Sequence, residues 1–109
     1  MTVKELTQTL SLRTFALPKP DRVVEGGYAG DLLSWVMGRA KENAAWLTIM
    51  SNQNVAAVSL MADLACVVLT EGVVPDENLL AKAQEQGVNL LGTDAPTYET
   101  ALKLGDALK

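Results

Sequence analysis

Histidine is absent from this chain, and cysteine occurs once, at Cys66. The first absence removes Ser-His-Asp and Cys-His nucleophilic arrangements and histidine-ligated zinc. The second removes an intramolecular disulfide; Cys66, within the apolar run Ala65-Cys66-Val67-Val68-Leu69, reads as a small core hydrophobe in a reducing compartment. Glycine is present, but not where phosphate chemistry needs it. None of Gly26, Gly27, Gly30, Gly38 and Gly72 is followed by the Lys-Ser/Thr ending of a phosphate-binding loop, and the Gly26, Gly27, Gly30 spacing is not the dinucleotide fingerprint. ATP-dependent kinase activity is disfavoured on that ground. Cationic charge is scarce and scattered: nine Lys and Arg against thirteen Asp and Glu leave a net charge of -4, with no basic stripe for nucleic acid or anionic lipid heads. No apolar stretch is long enough to span a bilayer and no signal-type apolar region opens the chain, so a cytoplasmic protein is expected, with neither membrane nor nucleic acid as partner.

What is there is apolar and regularly patterned. Hydrophobic residues make up 49% of 109 and charged residues 20%, the balance of a chain that buries a core, and residues 1–109 are expected to form one domain. Val3, Leu6 and Leu10 share a helical face. Leu12 to Leu17 has strand character and stops at Pro18, and Arg22 to Glu25 reads as a brief second strand ended by Gly26-Gly27. The four-residue link Pro18 to Asp21 is too short for a helical crossover, so these two strands are expected to pair antiparallel or arch across an edge. From Asp31 a helix carries Leu32, Leu33, Val36, Met37 and Ala40, with the Asp31 carboxylate in its first turn.

Thereafter strand and helix alternate. Ala45 to Met50 and Cys66 to Leu69 read as buried strands, with a helix from Val55 to about Leu64 between them. Pro75 and Asp76 start a helix that Gly87 ends, Val88 to Leu91 is the last strand, and Asp94 with Pro96 opens a closing helix carrying Tyr98, Ala101, Leu102 and Leu108. Right-handed crossovers turn such alternation into a mainly parallel, mixed α/β sheet of about five strands flanked by helices.

Ligands of open α/β sheets collect outside the carboxyl ends of strands. The exits here are polar or glycine-rich, and they supply the candidate ligand residues: Gly26, Gly27, Tyr28, Gly30 and Asp31; Ser51, Asn52 and Asn54; Thr70 and Glu71; and Thr93. Caps and turns need the same residue types, so each junction also has a purely structural reading. Asp21, Glu25 and Asp31 could ligate a divalent cation but read better as a solvated turn and a helix-terminal charge. Trp35 and Trp46 read as core or subunit interface rather than base-stacking platforms. No cofactor, metal site or catalytic residue is assigned.

Asp21-Arg22, then Gly26-Gly27-Tyr28-Ala29-Gly30-Asp31-Leu32-Leu33-Ser34 with Val36-Met37, resembles the DRTGG domain family. Ala45 to Ile49, Asn54 to Val58, Asp63-Leu64, Val67 to Gly72 and Leu91-Gly92-Thr93 look like its later blocks, so the likeness runs from about Leu12 to Leu104. The motif is not literal, because three residues separate Asp21-Arg22 from Gly26-Gly27. The resemblance implies a fold like the amino-terminal domain of HPr serine kinase/phosphatase, without the separate domain that carries catalysis there. It also implies a regulatory or dimerising module, since such domains occur in phosphotransacetylases and between the CBS repeats of regulated pyrophosphatases. The expectation is a non-catalytic homodimer that senses a nucleotide or phosphometabolite. The alternative is a protein-interaction subunit docking on a kinase or redox enzyme, and acid/base catalysis by a carboxylate pair is the least supported reading.

Overall fold

The computed structural model describes residues 1–109, ordered α1 (Val3–Thr9), β1 (Arg13–Ala16), β2 (Gly26–Ala29), α2 (Leu33–Arg39), β3 (Ala44–Thr48), α3 (Asn54–Met61), β4 (Cys66–Leu69), α4 (Glu77–Gln86), β5 (Leu90–Gly92) and α5 (Thr97–Ala107). The strands form one mixed sheet in the order β1-β5-β4-β3-β2. β2, β3, β4 and β5 run parallel, and β1 lies antiparallel on β5. The five-stranded α/β architecture is therefore the expected one. No helix is long and apolar enough to cross a membrane.

Every residue of β3, β4 and β5 is buried, because helices cover both faces. Alternate side chains divide the core in two. Trp46, Val67, Leu69 and Leu90 meet Val36, Val55, Val58, Leu79 and Ala83 of α2, α3 and α4 on one face. Ala45, Leu47, Cys66, Val68 and Leu91 meet Val3, Leu6 and Leu104 of α1 and α5 on the other. Helix ends follow local chemistry: Thr2 and Glu5 form a capping box, the Asp76 carboxylate accepts from Leu79 N at 2.7 Å, and Gly87 closes α4 at φ 78°.

Three expectations give way. The second strand is Gly26–Ala29, with Arg22 to Glu25 serving as its approach, where Val24 is buried and Val23 bridges to Thr2. The glycines can sit in a strand because α5 crosses close to β2: a Cβ at Gly27 would come within 2.6 Å of Leu104 Cδ2. Nor do β1 and β2 pair or share an edge; they lie at opposite edges, with three parallel strands between them. On α5 the inner face carries Thr100 and Leu104, while Tyr98 and Leu102 are exposed.

The approach to β2 is tied down by Arg22, whose Nη2 donates to Asn43 Oδ1 (3.0 Å) and to the Asp63 carbonyl and Oδ1 (both 2.7 Å). Asn43 and Asp63 have positive φ, so one guanidinium holds two left-handed turns.

Candidate functional site

The strand exits were expected to converge into a ligand rim, and most of their polar groups are already engaged inside the chain. Thr70 is fully buried and its hydroxyl shares a 2.6 Å hydrogen bond with that of Thr97. Glu71 Oε2 accepts the Thr97 backbone N–H at 3.0 Å, at the start of α5. Asn52 Oδ1 accepts from Asn54 N, Thr93 Oγ1 accepts from Ala95 N, and the Ser51 carbonyl accepts from Asp76 N. Asp31 does not lie in the first turn of α2. It stands before the helix, and its Oδ1 accepts from Thr48 Oγ1 at 2.8 Å and Ile49 N at 3.0 Å, joining the exits of β2 and β3. Of the candidate ligand residues, Ser51, Asn52, Asn54, Thr70 and Glu71 line no cavity, and Thr93 lines a shallow depression beside the paired Arg13 and Asp94.

Gly26, Gly27, Tyr28, Gly30 and Asp31 do come together, along a groove between the free edge of β2 and helix α2. Two depressions make it up, meeting at Tyr28 and Arg39. One, of about 340 Å³, is walled by Tyr28, Ala29, Leu32 and Trp35. The other, of about 330 Å³, is walled by Glu25, Gly26, Arg39, Lys41 and Glu42.

The local sequence explains this shape. Gly30 lacks a side chain where the Tyr28 ring folds over it, since a Cβ there would lie 3.0 Å from Tyr28 Cε2. Trp46 Nε1 donates to the Gly30 carbonyl at 2.8 Å, fixing the turn into α2. Leu32, Trp35 and Arg39 fall on one stripe of that turn and helix, beside the buried Val36. Arg39 stacks on Trp35 with its guanidinium carbon 3.7 Å from the ring centroid. At Gly26 an added Cβ would meet nothing within 4 Å, so the groove is open above it.

Charge is unevenly satisfied. The ion pairs of the chain are Arg13–Asp94, Arg22–Asp63 and Lys109–Asp106, which leaves Arg39 and Lys41 on the groove wall without an acidic partner. Glu25, Leu32, Arg39, Lys41 and Glu42 are absent from the set drawn from strand exits; the Leu32, Trp35, Arg39 spacing was the signal that could have found them. The one thiol is no part of the groove: Cys66 is fully buried, and burial pushes it up to about 12. His, Cys, Asp and Glu side chains nowhere gather in threes, so Asp21, Glu25 and Asp31 do not make a cation site.

The chain is a small open α/β sheet with helices on both faces, whose glycine-bearing free edge lines a groove. The DRTGG domain model matches residues 31–107, and the chain belongs to that family. Asp21-Arg22 and the glycines at 26, 27 and 30 precede the matched segment. The fold is similar to that of the CBS and DRTGG domains of the regulatory region of Clostridium perfringens pyrophosphatase, a structure complexed with its activator, diadenosine tetraphosphate. That likeness has a TM-score of 0.71 at 10% identity and covers 94% of this chain and 45% of the other, so this chain spans less than half of that relative. A comparison with curated proteins gave no match.

Proposed function

We propose that residues 1–109 form one non-catalytic regulatory module, that its β2–α2 groove takes up a small anionic metabolite or nucleotide, and that it works as a homodimer. The observation that carries this reading is the pair Arg39 and Lys41, cations without an ion-pair partner, in a groove that also holds Glu25 and Glu42 at one end and is aromatic and apolar at the other. Guanidinium and ammonium groups held this way favour an anion, and the Trp35 ring offers a flat apolar surface beside them. Gly26, Gly27, Tyr28, Gly30 and Asp31 belong to this site, while Ser51, Asn52, Asn54, Thr70, Glu71 and Thr93 support the opposite role of holding helix starts and turns. The activator complex of the pyrophosphatase regulatory region supports a nucleotide as the first ligand class to try. A cytoplasmic setting accords with the single free thiol.

Thermal unfolding against a panel of nucleotides and phosphometabolites tests the ligand reading. A compound at a hundred times its dissociation constant adds about 2.7 kcal/mol to stability, and Arg39→Ala removes that gain. A panel in which no compound moves the wild-type midpoint overturns it. The dimer reading draws on large exposed apolar side chains, Trp35, Met61, Tyr98 and Leu102 among them. Light scattering after size exclusion at micromolar concentration should return the mass of two chains; one chain rejects it. A second reading, docking on a partner protein, is favoured by the unpaired edge of β2.

A further inference from the structure

Reading the β2–α2 groove as a binding site leaves its occupant open, and the backbone of β2 narrows the choice. Gly30 donates its N–H to Leu47 O at 3.1 Å, in register with the Ala29–Leu47 pairing. By the two-residue alternation of a strand Tyr28 also faces β3, and Gly27 and Ala29 turn their N–H and C=O groups to the open side. β2 ends the sheet there, so no strand of this chain pairs with them.

Edge strands are ordinarily blunted by charge, proline, bulges or a covering element. β2 reads Gly-Gly-Tyr-Ala and keeps an unbroken register with β3, so it has no such device. The space above Gly26 is empty on the side of α2, where a side chain from an added strand would enter. Side chains on one face of an added strand recur every two residues, about 6.6–6.8 Å apart, which suits two adjoining compartments of different character. One is apolar, at Leu32 and Trp35; the other is charged, with the unpaired cations Arg39 and Lys41 beside Glu25 and Glu42. A second copy of this chain fits less well. Its own β2 offers no side chain at Gly26 and Gly27 to fill the space, and it brings cations where the groove already has them.

We propose that the open edge of β2 docks an extended acidic segment of a partner protein, added to the sheet as one further strand. An apolar side chain of that segment lies over Leu32 and Trp35, and a carboxylate two residues away reaches Arg39 and Lys41. The proposal rests on the groove being a binding site, and it adds the open edge of β2 as a place for a peptide carboxylate to reach the same cations that a small anion would.

Panning a phage-displayed library of short random peptides against the full chain tests it, followed by hydrogen exchange with the selected peptide bound. Enriched sequences should alternate apolar and acidic residues, and the peptide should protect the Gly27 and Ala29 amides. Gly26→Val puts a side chain into the space above β2, where its Cβ meets nothing within 4 Å, and Arg39→Glu reverses a wall charge; each should weaken the peptide by at least about tenfold while the melting temperature holds. The proposal is overturned by panning without a consensus, by selected peptides indifferent to Gly26→Val, or by a two-chain mass with those amides protected when no peptide is present. If inorganic phosphate or a nucleotide binds at Arg39 and no peptide does, the strand falls and the metabolite reading stands. If the peptide binds and no small anion does, the metabolite reading falls alone.

Discussion

The sheet has two edges, and they are finished in opposite ways. At β1 the strand carries Arg13, paired with Asp94, and its register on β5 shifts between Thr14 and Ala16. The Phe15 ring lies across Gly92 of β5, where an added Cβ would come within 2.5 Å of Phe15 Cε2, and Pro18 follows shortly after the strand. Charge, irregular register and a nearby proline are the usual means of discouraging a further strand. β2 itself carries no charge, register shift or proline, and Arg39, Lys41, Glu25 and Glu42 stand beside its open backbone without ion-pair partners. One edge is closed by groups that folding engages; at the other, folding leaves Arg39, Lys41 and the outward backbone groups of β2 without partners in the chain.

Substitution at glycine measures how tightly each edge is closed. Gly92→Val should be the most damaging, because it drives a branched side chain into Phe15 from a fully buried strand; overpacking of that kind costs about 1–3 kcal/mol and here should reach the top of the range. Gly27→Val meets only the end of the Leu104 side chain, so a loss near the bottom of the same range of about 1–3 kcal/mol is expected. Urea unfolding of both variants checks the order. Equal losses would mean that α5 closes the β2 edge as firmly as Phe15 closes that of β1.

Arg13→Ala should change stability by no more than about 1 kcal/mol, since both partners of the pair are substantially exposed. Its larger consequence is expected at the edge itself: with the charge gone, β1 keeps only its shifted register against edge-to-edge association. Light scattering of concentrated Arg13→Ala against wild type reads that directly, and an unchanged mass would show that the register shift alone suffices.

Much of the fold was legible in the sequence because buried parallel strands are nearly all apolar and their helices announce both ends. Ala44 to Thr48, Cys66 to Leu69, Asp76 and Gly87 stand within a residue or two of where apolar runs and cap chemistry put them. Gly26–Ala29 was hidden, since a strand of glycine and alanine has the composition of a turn. What makes it a strand is the pairing with β3 and the approach of Leu104, both long-range. The same limit applies to the site. Thr70, Glu71 and Asn52 look like ligand groups in one dimension, and only the positions of Thr97, Asn54 and the helix starts show them engaged. Arg39 looks like an ordinary helix-terminal cation until the fold sets it between the two compartments of the groove, stacked on Trp35.

The smallest effect is the most discriminating. Gly26 is not in the left-handed region, and a Cβ there meets nothing within 4 Å, so a side chain can begin at Gly26 without a backbone change. Replacing glycine in a strand by a β-branched residue removes unfolded-state entropy and suits the extended backbone, so stability should stay within about 0.5 kcal/mol or rise. Gly27→Val, one residue along the same strand, points to the opposite face and should lose stability. A glycine conserving the fold would show its cost at both positions; a glycine keeping a groove open shows none at Gly26 and instead changes what the groove admits. Urea midpoints of the two variants, measured side by side, decide it: a Gly26→Val midpoint well below wild type would make the opening above β2 a by-product of folding rather than a vacancy for a guest.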